Sequence, residues 1–171
     1  LLVRVAVFAL VFGGVAEVTP ALCEVPIADS PAISDFVHRL IIGEIGVVAF
    51  LTGVGFTQLL AAAERIVARM RYLHALADAV TLARGPKVVH AMREHELSPT
   101  RIVPAPHTWR ELLTEIDRHL PIDHQVVAVQ EYGERNVSLI AGLEARGARV
   151  VSVPVYRWEL PTDRQPLCQA V

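Results

Sequence analysis

Apolar positions along the chain alternate between two patterns, and the alternation recurs. Residues 47–52, VVAFLT, form an unbroken apolar run, the pattern of a strand buried on both faces. The run passes straight into Gly53-Val54-Gly55 and then into FTQLLAAAERIVARMRYLHAL, residues 56–76, which reads as one long helix. AVTLA, residues 79–83, repeats the strand pattern and ends at Arg84-Gly85-Pro86-Lys87, before a helix VVHAMREHE over 88–96. Ser98-Pro99 turns the chain into a third strand, RIVPAP, over 101–106. His107-Thr108 opens the helix TWRELLTEIDRHL, in which Thr108 and Glu111 have the spacing of a capping box, and Pro121 stops it. QVVAVQ, residues 125–130, is a fourth strand that ends at Glu131-Tyr132-Gly133. NVSLIAGLEARG, residues 136–147, reads as a helix with Gly147 as its C-cap, and RVVSVPVYRWEL, 149–160, as a long extended run. Ahead of the first strand, Ser34 or Asp35 caps a short helix, DFVHRLIIGEI, with Phe36, Val37, Leu40 and Ile41 on one face.

Strands that alternate with helices call for a parallel sheet covered on both faces. With right-handed crossovers the natural solution is an α/β, doubly wound, flavodoxin-like sheet. No internal repeat is present. The text from Pro20, ALCEVPIADSP, reads as extended, and residues 161–171 as loose. The first segment, LLVRVAVFALVFGGVAEV, is uncharged from residue 5 to residue 16, and a membrane span needs roughly 20 apolar residues. It reads either as a signal peptide or as the tail of a buried helix ended at Gly13-Gly14, with a short strand at 15–18. A start at Leu1 suggests that the true N-terminus lies upstream.

Composition narrows the function classes. The 171 residues are 53% hydrophobic and 20% charged, which excludes a disordered or low-complexity chain. The net charge of −2 offers no basic field for nucleic acid. Cys23 and Cys168 lie far apart with no CxxC, so neither a disulfide framework nor a zinc knuckle is expected. The seven histidines lack metal spacing. The carboxylates Glu94, Glu96, Glu111, Glu115 and Asp117 fall on solvated helix faces, and Met92 and Trp109 read as packing residues.

In a doubly wound sheet, ligands bind beyond the carboxyl ends of the strands. Three of those ends are marked: Thr52-Gly53-Val54-Gly55, Arg84-Gly85-Pro86-Lys87 and Gln130-Glu131-Tyr132-Gly133. Glycine lets backbone N–H groups approach a ligand, and each loop precedes a helix N-terminus with its partial positive charge. They suit carboxylates or phosphates; they also suit ordinary tight turns. GxGxxG, Walker, HExxH and GxSxG patterns do not occur. Tyr156 stands apart, because its phenol follows Pro154-Val155 where the chain leaves the domain, and it could donate a proton or grip a ligand.

The segment over 126–159, VVAVQEYGERNVSLIAGLEARGARVVSVPVYRWE, resembles uroporphyrinogen-III synthase. The likeness rests on Gly133, Asn136, Leu139, Leu143, Gly147-Ala148 and Val153-Pro154-Val155-Tyr156. VVAFLTGVGFTQLL is similar to the family's strand ending in Thr-Ser or Thr-Gly, and PALCEVPI to its first linker. The resemblance covers roughly residues 15 to 160. It implies two doubly wound domains joined by two linker strands, one domain built from both chain ends. Residues 1–17 would then be a remnant of the end-built domain, 18–27 a linker, 28–149 the middle domain, 150–160 the second linker and 161–171 a tail. On this expectation the chain is a fragment or a truncated product, and a largely missing second domain completes the cleft.

The resemblance also implies a reaction. Hydroxymethylbilane, a linear tetrapyrrole rich in carboxylates, loses its hydroxyl and closes to a macrocycle with its last ring inverted. No metal or organic cofactor is implied, and no nucleic acid or membrane partner; the expected compartment is the cytoplasm. Carried over, Tyr156 assists loss of the hydroxyl, while Thr52, Gly53 and Val54 present amides to a substrate carboxylate. Gly85, Pro86 and Lys87 contribute from the second loop, and Glu131, Tyr132, Gly133 and Asn136 from the third. The second loop departs from the family's Gly-x-x-Thr pattern, reading Gly85-Pro86-Lys87-Val88, and Lys87 is expected to supply charge instead. The competing reading is an anion-binding module without catalysis; a phosphoacceptor receiver is disfavoured, since no acidic pair follows the first strand.

Overall fold

The computed structural model describes residues 22–27, 30–162 and 165. The chain divides into two compact units. Pro26–Tyr156 forms the larger, and the flanks before and after it form the smaller. In chain order the elements are β1 (Cys23–Pro26), α1 (Pro31–Ile41), β2 (Val47–Phe50), α2 (Gly53–Ala63), α3 (Arg69–Asp78), β3 (Val80–Ala83), α4 (Pro86–Arg93), β4 (Arg101–Ile102), α5 (Trp109–His119), β5 (Val126–Glu131), α6 (Val137–Glu144), β6 (Arg149–Pro154) and β7 (Tyr156–Glu159). The readings for residues 1–17, and for most of 161–171 with Cys168, lie outside the described residues.

The expected α/β doubly wound architecture is present. Five strands pair in parallel in the order β4-β3-β2-β5-β6. The first strand of this sheet in sequence, β2, sits at its centre, and the winding reverses between it and β5. Side chains alternate faces with the strand period of two. Val48, Phe50 and Ala128 enter a core shared with α1, α2, α3 and α4, whereas Val47, Ala49, Val127 and Val129 enter a core shared with α5 and α6. Right-handed crossovers explain that division: strands added leftward put their helices on one face, and strands added rightward put theirs on the other. The largest buried side chains, among them Phe36, Phe50, Phe56 and Tyr72, lie on the four-helix face, and burying each contributes about 1.5–3 kcal/mol.

Four local readings are corrected. The helix read over 56–76 is two helices, with a turn over 64–68. Phe56, Leu59, Leu60 and Ala63 share one stripe, but at roughly 100° per residue an unbroken helix would turn Tyr72 and Leu76 away from it. Breaking the helix lets both be buried, at 1% and 0% exposure, with α3 packed on α1. The first helix starts at Pro31 rather than after Ser34 or Asp35. Ser30 is its N-cap residue, and its carbonyl accepts from Ile33 and Ser34 N–H at 3.0 and 3.2 Å. Pro31 then occupies the one turn where a missing N–H costs nothing. The third strand is only Arg101–Ile102, because Pro104 and Pro106 have no N–H for the ladder; Val103 N–H still donates to Ala83 O at 2.9 Å. Finally, the run over 149–160 is two strands in two sheets. β6 continues the large sheet beside β5, and β7 pairs with β1 in a small antiparallel ladder.

Candidate functional site

The winding reverses between β2 and β5, and the carboxyl ends at such a reversal are the usual ligand position in these sheets. Leu51-Thr52 and Tyr132-Gly133 are the first residues beyond those two ends. β2 stops at Phe50, paired with Gln130, while β5 runs on to Glu131. The next two backbone donors, Leu51 N–H and Thr52 N–H, go to the side chain of Gln130, each 3.2 Å from Oε1. Gln130 is fully buried, and its Nε2 donates to Glu131 O at 2.6 Å.

Thr52 has extended backbone and caps α2, its Oγ1 accepting from Gly55 N–H at 3.0 Å. Gly53 and Val54 are the first two residues of that helix, so their N–H groups have no intrahelical acceptor. The glycines are required by close approach. A Cβ on Gly55 would overlap the Gln130 amide, and one on Gly53 would stand 2.5 Å from the Lys87 carbonyl. The first and second loops therefore touch through backbone.

Tyr156 is 3% exposed and joins the first loop to the third. Its hydroxyl is 3.4 Å from Thr52 Oγ1, and its carbonyl accepts from Gly133 N–H at 3.3 Å. Gly133 has φ +61°, a left-handed conformation that glycine adopts without strain. Because its N–H is turned to Tyr156, Gly133 fixes Tyr156 rather than offering that amide outward.

In the second loop, Gly85 caps α4 without a side-chain hydrogen bond, and Pro86 removes the first donor. Lys87 is exposed at the same turn. Gly53, Val54, Pro86 and Lys87, with Thr57, Gln58, His90 and Ala91, line a cleft of about 490 Å³ between α2 and α4. Two helix starts, with their partial positive charge, and Lys87 stand at this cleft, whose lining is otherwise mainly apolar.

The remaining expected residues make contacts within and beside the third loop. Glu131 is 5% exposed and accepts from Ser152 Oγ at 2.5 Å, so it links β5 to β6. Asn136 caps α6, its Oδ1 accepting from Leu139 N–H at 3.0 Å. Tyr132 accepts from Arg84 Nη1 at 2.9 Å, with the guanidinium 4.8 Å from the ring centroid. Gln130 and Arg84 were marked from sequence only as the first residues of their loops, and His90 was not marked as a site residue. Only Gln130 carried a signal of its own, a lone amide closing an apolar strand. Among the described residues, no group of three or more His, Cys, Asp or Glu could hold a metal ion. None of their helices is long and apolar enough to cross a membrane.

A central parallel sheet whose switch point carries a threonine-capped, glycine-rich turn against a buried tyrosine defines a doubly wound α/β module. Comparison with known proteins gives the family. Residues 9–171 match the model of uroporphyrinogen-III synthase HemD, and the chain belongs to that family. It is similar to uroporphyrinogen III synthase of the extremely thermophilic bacterium Thermus thermophilus. One mutant crystal form has 29% identity and a TM-score of 0.71 over 93% of this chain and 58% of that one. Another Thermus thermophilus structure has 30% identity and a TM-score of 0.62 over 95% and 61%. Among curated proteins it is 30% identical over 124 residues to the uncharacterized protein YjjA of Bacillus subtilis, covering 71% of this chain and 45% of that protein. The chain thus spans less than two thirds of the length of these relatives.

Proposed function

We propose that this chain carries the hydroxymethylbilane-binding middle domain of a uroporphyrinogen-III synthase, a cofactor-free lyase of tetrapyrrole biosynthesis acting in the cytoplasm. The observation that carries the reading is the meeting of Tyr156 OH and Thr52 Oγ1, 3.4 Å apart at the switch point. Tyr156 donates a proton to the departing hydroxyl, which leaves as water and generates an azafulvene. The substituted carbon of the last ring attacks it, a spiro intermediate forms, and rearrangement closes the ring in inverted orientation. The Gly53 and Val54 amides and the Lys87 ammonium hold side-chain carboxylates of the substrate. Catalysis is then mainly positioning of a flexible polyanion. β1 and β7 act as the linker strands, and a second domain, for which the greater length of the Thermus structures leaves room, closes the other side of the cleft.

The test is an isomer assay, in which hydroxymethylbilane is supplied and the type I and type III porphyrins are separated after oxidation. Unassisted closure gives type I. We expect type III from this chain extended to the length of its relatives. Tyr156→Phe lowers that rate by about 100-fold, the lower end of what a positioned proton donor supplies. Type I alone from the extended chain would overturn the synthase reading and leave a binding module.

A further inference from the structure

Gln130 is the positioning residue of the site, and we infer that it sets Thr52 against Tyr156. The inference rests on the synthase reading only for its kinetic consequence. The arrangement starts from a mismatch in strand length. β2 ends one pair short of where β5 continues, so Leu51 and Thr52 N–H have no ladder partner. A buried unpaired N–H is costly, and the Gln130 carbonyl takes both, at 3.2 Å each. Its own amide is anchored on Glu131 O at 2.6 Å, so the side chain is pinned at both ends and has no exposed surface.

Gly55 completes the fit. No Cβ can stand at residue 55 without overlapping the Gln130 amide, so the first turn of α2 closes directly over it. The same Gly55 donates its N–H to Thr52 Oγ1 at 3.0 Å. Backbone and side chain of Thr52 are thereby fixed by one buried amide, the backbone directly and the hydroxyl through Gly55. That hydroxyl is the group 3.4 Å from Tyr156 OH. Gln130 has no exposed surface and acts through Thr52 on the orientation of Tyr156.

The test replaces Gln130 with methionine, which keeps length and volume but removes the amide, and reads Tyr156 directly. In protein carrying ¹³Cζ-tyrosine, the Tyr156 resonance is assigned by its loss in Tyr156→Phe. Gln130→Met is expected to move it in the direction that Thr52→Val moves it, in protein that is folded by circular dichroism. An unmoved resonance in folded Gln130→Met would overturn the inference whatever the protein catalyses. If Gln130→Met does not fold, Gln130→Asn, one methylene too short to reach both Leu51 and Thr52 N–H, replaces it; a displaced Tyr156 resonance then supports the inference, and an unmoved one overturns it. The kinetic arm uses the extended chain. Gln130→Met lowers type III formation by about 100-fold through misplacement, with KM little changed. The loss largely disappears in a Tyr156→Phe background, whereas equal losses in both backgrounds would show a role independent of Tyr156. Absence of type III from the unsubstituted extended chain overturns the synthase reading, and the resonance still decides the role of Gln130.

Discussion

The first and second strand-to-helix turns hold equivalent places, each beyond a parallel strand and each at a helix start, yet they meet solvent by different means. At the first turn everything polar is fixed: Thr52 caps α2, Gln130 braces the strand end, and Gly55 closes over it. At the second, the cap is a glycine without a side chain, Pro86 contributes no donor, and the polarity comes from the exposed Lys87. Fixed dipoles need no reorganisation when charge arrives. A lysine on four rotatable carbons reaches further but is screened and mobile. One cleft therefore combines a rigid wall with a yielding one.

Substitutions at matched positions would break that contrast if it is wrong. The largest effect is expected at Gly55. Gly55→Ala forces its methyl into an amide that cannot retreat without unpairing two buried N–H groups, and should lower stability by about 2–3 kcal/mol. The matched change Gly85→Ala should stay within about 0.5 kcal/mol, because Gly85 is extended and its Cβ would meet His107 atoms at an ordinary 3.6 Å. Thermal unfolding of the pair measures the difference; equal losses would show that the second turn is as tightly built as the first. Next comes the cap itself. Thr52→Ala removes the acceptor for Gly55 N–H and should cost about 1 kcal/mol by denaturant titration, a loss the second turn cannot show, having no side-chain cap. The smallest effect is Lys87→Ala. It should weaken binding of a polycarboxylate by a few-fold at low salt, and the difference should fade as salt is raised, which titration at two ionic strengths would detect. A salt-independent loss would mean that Lys87 is held as rigidly as the first turn.

Much of this was legible in the sequence, because it is local. The alternation of apolar runs and amphipathic stretches pointed to the parallel sheet. The Thr108–Glu111 capping box forms as its spacing requires, with Glu111 accepting from Thr108 N–H at 2.9 Å. The same exchange holds the Glu111 carboxyl below its ordinary pKa, chiefly through the Thr108 hydroxyl. Thr52 capping α2 follows from the same local grammar. The break between α2 and α3 was also written there, since the apolar stripe changes sides between Ala63 and Tyr72, but a run of good helix formers conceals it. Gln130 was different. Its task depends on where β2 stops relative to β5, and that register joins residues about eighty apart in sequence. Glu131 depends on the same long-range pairing: it ends β5, and its side chain is buried against Ser152 of β6.

The position of β2 has a consequence for how the molecule is made. The first strand of the large sheet to emerge during synthesis is its middle one. β3 and β4 can then be laid against one open edge as they appear, and β5 and β6 against the other, so no strand need be threaded between two already joined. In chain order the sheet extends outward from β2, first to one side and then to the other. The residues that line the cleft between α2 and α4 all belong to the first phase, whereas the brace on Leu51 and Thr52 waits for β5 to bring Gln130 to the end of β2.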